Sequence, residues 1–169
     1  MLKDLYTKGF VKLSEPEALD LIRIGDFRLP NTEERLRDNG KLDVSPELAS
    51  RLDTFGYYLK TKYIDPEWPN NTYNKFITWD GVDKDNQGWH TDMVEDYDVF
   101  FLYYFDDTAE QTGGSINFKW KENGIETSAH FQPQAGDLFL VYNKKGFWHR
   151  AEATTIQRRV ASFDFTIND

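Results

Sequence analysis

Residues 98–142 read DVFFLYYFDDTAEQTGGSINFKWKENGIETSAHFQPQAGDLFLVY. Four short runs rich in Val, Ile, Phe, Tyr and Trp, at 98–105, 115–120, 125–131 and 137–142, are separated by Asp, Gly, Asn and Pro. β-Branched and aromatic side chains suit a pleated surface, and the separating residues are those that turns demand. The runs are too short for helices, so they predict strands. Two further runs of the same character flank them, at 73–79 and 158–167. Strands at this spacing make an all-β sandwich or barrel, and helices ahead of them can cover one sheet. The expected fold is therefore mainly β with N-terminal helices, a double-sheet jelly roll.

The segment ahead of Tyr73 supplies those helices. Gly9-Phe10-Val11-Lys12-Leu13 is strand-like, and Pro16 to Ile24 carries apolar residues at helical spacing. A stronger helix begins at Ser45, a good N-cap with Pro46 at the first helical position, and continues with Leu48, Leu52, Phe55 and Leu59 on one stripe. The 169 residues fit one domain, with a helical support over about 1–70 and a jelly-roll core over about 71–167. A polar, glycine-flanked loop, GVDKDNQG at 81–88, stands directly before Trp89-His90, where a mobile lid or an ordinary solvated turn would fit.

Composition narrows the chemistry. Aromatics are 16% of the chain, ample apolar area for a core, and cysteine is absent. That excludes disulfides, thiolate zinc sites, iron–sulfur clusters and a cysteine nucleophile, leaving His, Asp and Glu as the strong metal ligands. The net charge of −9 is spread along the chain and repels phosphate backbones, so no nucleic-acid partner is expected. No apolar run is long enough to span a bilayer, and Met1-Leu2-Lys3-Asp4 begins no secretory signal. No membrane partner and a cytoplasmic location are expected by default.

His90-Thr91-Asp92 places His and Asp two apart, which in an extended segment puts both side chains on one face, able to share an ion. A third ligand must come from elsewhere, and the remaining histidines are His130 and His149. His149 follows the buried-looking run 137–142, where a strand would present a polar side chain to an interior. His130 lies in Thr127-Ser128-Ala129-His130-Phe131 with no carboxylate near it in sequence, and reads as a surface or structural histidine. Two His and one carboxylate leave three positions open on an octahedral ion, which suits Fe(II) binding a co-substrate and O₂; zinc hydrolysis is the chemical alternative. On the last strand, alternation groups Arg159 with Ala161, Phe163 and Phe165, and Arg158 with Val160, Ser162 and Asp164. The first face is the more apolar, so Arg159 is expected inward, facing either an internal salt bridge or a bound carboxylate.

Together these features resemble the prolyl-4-hydroxylase-like branch of the Fe(II)/2-oxoglutarate dioxygenases, over about Phe76 to Phe165. Gly88-Trp89-His90-Thr91-Asp92 is similar to the family's HxD motif after a loop. Phe100-Phe101-Leu102-Tyr103-Tyr104 resembles its strand ending in a tyrosine pair, Thr112-Gly113-Gly114 its Gly-Gly turn, and Pro133-Gln134-Ala135-Gly136-Asp137 its P-x-x-G-D turn. The family's basic residue lies nine to ten positions beyond its distal histidine, and Arg159 lies ten beyond His149. The resemblance implies a double-stranded β-helix, His90, Asp92 and His149 as iron ligands, and Arg159 and Tyr104 as partners of the 2-oxoglutarate C5 carboxylate. It implies an enzyme that uses Fe(II), O₂ and 2-oxoglutarate to hydroxylate a C–H bond of a small-molecule or peptidyl substrate, releasing succinate and CO₂. Asp92 occupies the carboxylate position, which disfavours halogenation. Related alkylated-base demethylases carry a second arginine six residues beyond the first; here those positions are Phe165 and Asp164. A cupin-like module that binds a metal or ligand without turnover is the alternative from another class. Residues ahead of Tyr73 match no family motif.

Overall fold

The computed structural model of the chain describes residues 3–22, 45–64, 88–92, 98–156 and 158–165 in full and the backbone of Leu2 and of 73–79. In chain order come α1 (Leu2–Lys8), β1 (Phe10–Ser14), α2 (Ala18–Ile22), α3 (Pro46–Tyr63), β2 (Tyr73–Trp79), β3 (Val99–Tyr104), β4 (Ile116–Glu122), β5 (Ile125–Phe131), β6 (Asp137–Tyr142), β7 (Phe147–Ala151) and β8 (Arg158–Phe165). A five-stranded sheet has the order β1-β6-β3-β8-β2 and a three-stranded sheet the order β5-β4-β7, with antiparallel pairing throughout. The two sheets form the jelly roll expected from the sequence. The strand ends agree within about two residues, and the one strand not anticipated is β7. None of the described helices is long and apolar enough to cross a membrane.

The central strands β3 and β6 of the large sheet are buried on both faces, which is why they read as almost unbroken apolar runs instead of alternating ones. Val99, Phe101 and Tyr103 of β3, Leu138 and Leu140 of β6, and Ala161, Phe163 and Phe165 of β8 pack with Leu5, Ile22, Leu52, Phe55 and Leu59 of the helices. The intervening residues, Phe100 and Tyr104, Phe139 and Val141, and Val160, meet Ile116, Phe118 and Trp120 of the small sheet in a second cluster. Strand alternation thus divides each strand between a helix side and a sheet-to-sheet side.

Local chemistry fixes how the pieces join. The Ser45 side chain accepts from the Leu48 backbone N–H at 3.2 Å, starting α3 as predicted, with Pro46 behind it. Glu15, at the end of β1, is buried and accepts hydrogen bonds from Lys62 Nζ at 2.6 Å and from the Tyr63 hydroxyl, both on α3. The Tyr103 hydroxyl donates to the Glu15 carbonyl at 2.8 Å, so helix, β1 and β3 meet in one polar knot. Burial acts against the Glu15 carboxylate, but the bonds from Lys62 and Tyr63 prevail and hold it below its ordinary range. Gly113 has φ +70° and a Cβ there would lie 2.3 Å from the Ala153 carbonyl oxygen, so the Gly-Gly turn into β4 tolerates no side chain.

Phe163 lies at the centre of the helix-side core, fully buried with its ring 5.6 Å from that of Phe55. Phe163→Ala should cost about 3–5 kcal/mol of folding free energy, readable as a lower urea midpoint. A loss under 1 kcal/mol would mean that the helices do not pack on this face.

Candidate metal centre

The small sheet gathers the candidate ligands. β7 pairs with β4, setting His149 opposite Phe118, and His90 joins the free side of β7 through a single bridge in which each histidine's backbone N–H donates to the other's carbonyl, at 3.1 and 3.0 Å. The bridge draws the two imidazoles together, with ring centroids 4.4 Å apart. Asp92 lies between them, its Oδ1 3.6 Å from His90 Nε2 and its Oδ2 3.4 Å from His149 Nε2. One ligand atom from each of His90, Asp92 and His149 falls within 4.8 Å of the others. His90 Nδ1 sits 2.7 Å from the Gly88 carbonyl oxygen, which fixes the ring and directs Nε2 to the cluster.

Burial tunes this donor set. His149 is buried, and that desolvation lowers its pKa despite the opposing pull of Asp92, keeping the imidazole in the neutral form a metal requires. Phe100, 5.3 Å from the His149 ring, lines the dry side, while His90 and Asp92 are about one-third exposed. Two imidazole nitrogens and one carboxylate converging from one side fit a divalent first-row ion that keeps positions for other ligands. His130 is not part of the group. It lies exposed on β5, its Nδ1 2.7 Å from Asn117 Oδ1, a surface histidine as the sequence suggests.

The two arginines of β8 are placed the other way round from the sequence expectation. Arg159 faces the helix side, where its Nε and Nη2 donate to Asp106 at 3.0 and 2.7 Å and its backbone N–H to the same carboxylate at 2.7 Å. Arg158 is the inward one, 1% exposed, with Nη1 donating to the Gly114 carbonyl at 2.7 Å and the Glu152 carbonyl at 3.2 Å. The apolar face of β8 is the one that packs under the helices, whereas the inward face carries Ser162 and Asp164 as well. Spacing did not separate the arginines, since Arg158 lies nine beyond His149 and also satisfies the family interval.

Tyr104 is on the inward face, paired across the ladder with Val160, and Arg158 acts on it electrostatically. Burial is the main cause that pushes its hydroxyl up to about 12, so Tyr104 is a neutral donor at physiological pH. Tyr103, the other member of the pair, points to the helices. Among the described residues, a groove of about 740 Å³ lined by Ala18, Ile22, Arg51, Phe55 and Tyr58 lies on the helix side, behind the large sheet and apart from the triad. Of the polar loop at 81–88 only Gly88 lies within the described residues.

Residues 77–166 match the family model described as the 2OG-Fe(II) oxygenase superfamily. No curated protein matches the sequence. Among solved structures, a Pseudomonas putida prolyl-4-hydroxylase is similar with a TM-score of 0.66 at 16% identity, covering 98% of this chain and 96% of the other. A Trichoplax adhaerens prolyl hydroxylase, solved with a hypoxia inducible factor oxygen degradation domain peptide fragment, gives 0.64 at 15% identity, covering 97% and 86%. The non-heme alpha ketoglutarate dependent epimerase SnoN from nogalamycin biosynthesis gives 0.66 at 13% identity, covering 98% and 80%. At these identities the likeness to solved structures speaks for the fold.

If the triad holds the metal, Asp92→Ala and His149→Ala should each abolish stoichiometric Co(II) or Fe(II) binding while circular dichroism stays near that of the parent protein. His130→Ala should retain full metal content. Metal analysis after anaerobic loading decides it, and metal retained by His149→Ala would refute the ligand set.

Proposed function

Because this chain belongs to the 2OG-Fe(II) oxygenase superfamily, we propose that it hydroxylates a C–H bond of an amino-acid-like, peptidyl or other small substrate. In this reading Fe(II) is held by His90, Asp92 and His149, and the C5 carboxylate of 2-oxoglutarate by Arg158 with Tyr104. The family employs Fe(II), 2-oxoglutarate and O₂, and the donor set described above fits that ion. Bound there, the iron supplies the oxidation, with 2-oxoglutarate converted to succinate and CO₂.

The observation that carries the co-substrate assignment is the placing of Arg158. Its guanidinium is desolvated between the sheets, where burial works against the charge and lowers its pKa. A guanidinium remains protonated even so, and the carbonyls of Gly114 and Glu152 fix its plane. A fixed planar cation in a dry site suits a carboxylate, and the adjacent neutral phenol of Tyr104 can donate a further bond. The Gly-Gly turn thereby acquires a task beyond chain reversal, since Gly114 supplies one of the two carbonyls. Phe100, Phe118, Phe139 and Val160 exclude water around these groups, which strengthens each charged contact.

For the substrate, the similarity to prolyl hydroxylases supports an amino-acid or peptide framework. Asp164, six residues beyond Arg158 and buried on the same inward face, stands where alkylated-base demethylases carry a second arginine. An acidic group there, in a chain of net charge −9, favours neutral or cationic substrates over nucleic acid.

Arg158→Gln should weaken 2-oxoglutarate binding at least about tenfold, since each charge-assisted hydrogen bond contributes roughly 1.5–3 kcal/mol. Arg159→Gln should leave that affinity within about twofold and instead lower stability by roughly 1–3 kcal/mol through loss of the Asp106 pair. The 2-oxoglutarate dependence of succinate release, with urea unfolding alongside, separates the two. A larger co-substrate defect at Arg159 would overturn the assignment.

A further inference from the structure

Each of the two candidate histidine ligands follows a tryptophan directly, Trp89 before His90 and Trp148 before His149. Strand alternation turns His149 inward with its ladder partner Phe118, and so turns Trp148, Arg150 and Lys119 to the outer face of the small sheet. There the Lys119 ammonium lies 4.9 Å from the Trp89 ring centroid and 5.4 Å from that of Trp148. The Arg150 guanidinium covers Trp89 at 4.8 Å. One cation thus touches both residues that immediately precede the histidines, on the side of the sheet opposite the metal cluster.

The attachment this cation reinforces is slender. Among the described residues, the HxD segment is joined to β7 by the two backbone hydrogen bonds of the His90–His149 bridge and by no longer ladder. A metal site tolerates ligand displacements of only about 0.2 Å, and a single bridge leaves a segment free to twist about it. Contacts on the outer face, one residue from each histidine, oppose that twist. Ammonium and guanidinium groups over indole faces are attracted by the ring quadrupole, with Trp the best partner. Lys119 is itself held over the rings by its ladder position opposite Trp148 and by Glu126 at 3.7 Å, and Arg150 by Glu152 at 3.1 Å.

We propose that Lys119 is a positioning residue for the metal centre, clamping Trp89 and Trp148 so that His90 and His149 keep the separation a shared ion requires. The proposal rests on the metal-ligand reading above and concerns geometry outside the coordination sphere. Replacing the ammonium with an uncharged chain of similar length should loosen the approach of the two histidines without opening the core, because Lys119 is not part of either apolar cluster.

The test is Co(II) titration of the full-length protein, followed by the visible d–d band, in Lys119→Met, Lys119→Arg and Lys121→Met, with thermal unfolding of each metal-free variant. Lys121 is exposed on the same face of β4 and serves as the surface-charge control. The expected result is a loss of Co(II) affinity of about tenfold, equivalent to ~1.4 kcal/mol, and a shifted d–d band in Lys119→Met. Lys119→Arg should restore most of both, and the metal-free midpoints should match that of Lys121→Met. Unchanged affinity and band in Lys119→Met, or an equal loss in Lys121→Met, overturns the proposal. So does a loss matched by a lower metal-free midpoint in Lys119→Met, since that is a folding defect. Failure of the underlying reading looks different: a parent protein that binds no Co(II), or binds it as well after His149→Ala, removes the metal site and the positioning role together.

Discussion

Two backbone hydrogen bonds between His90 and His149, at 3.1 and 3.0 Å, turn a motif and a distant histidine into one site. Their geometry fixes which atoms can meet. In an antiparallel bridge the paired residues project their side chains to the same face, so once His149 is turned inward by its place on β7, His90 follows. Asp92, two residues on, then closes the group. Everything else in the fold either holds β7 in place, through β4 and the sheet-to-sheet core, or brings Arg158 and Tyr104 to the same interior.

The same rule of alternation explains why β8 is the most informative strand and also the most misleading one. Its helix-side face, Ala161, Phe163 and Phe165, is closed over by α3 and carries Arg159 only at its rim, where the two oxygens of Asp106 grip the guanidinium. Its inward face holds Arg158, Ser162 and Asp164, all buried. The apolar side of this strand belongs to the core beneath the helices.

The jelly roll itself was legible because the strands are short, aromatic and separated by turn residues, and α3 because Ser45, Pro46 and its apolar stripe agree on one helix. The His90–Asp92 pairing was legible because strand geometry acts locally, and His149 because it follows the buried run 137–142. β7 escaped notice because Phe147-Trp148-His149-Arg150-Ala151 shows no apolar alternation: its outer face carries Trp148 and Arg150, an aromatic and a cation that serve each other's neighbourhood instead of a core. The Asp106–Arg159 pair was equally invisible, since its partners stand 53 residues apart and meet only once β3 and β8 are in register.

The distribution of polar groups across the large sheet also bears on how the enzyme can be both rigid and open. On the helix side, Glu15 gathers Lys62, Tyr63 and the Tyr103 hydroxyl into a buried knot that locks α3 to β1 and β3. On the cavity side, Tyr104, the immediate neighbour of Tyr103, is left as a neutral donor beside Arg158. Two adjacent tyrosines therefore face opposite sides of the sheet, one spending its hydroxyl on the scaffold and the other set beside Arg158. Rotating this stretch of β3 would break hydrogen bonds to β6 and β8 at once. β3 is thus held by ladders on both sides, whereas the HxD segment, among the described residues, has one bridge to β7.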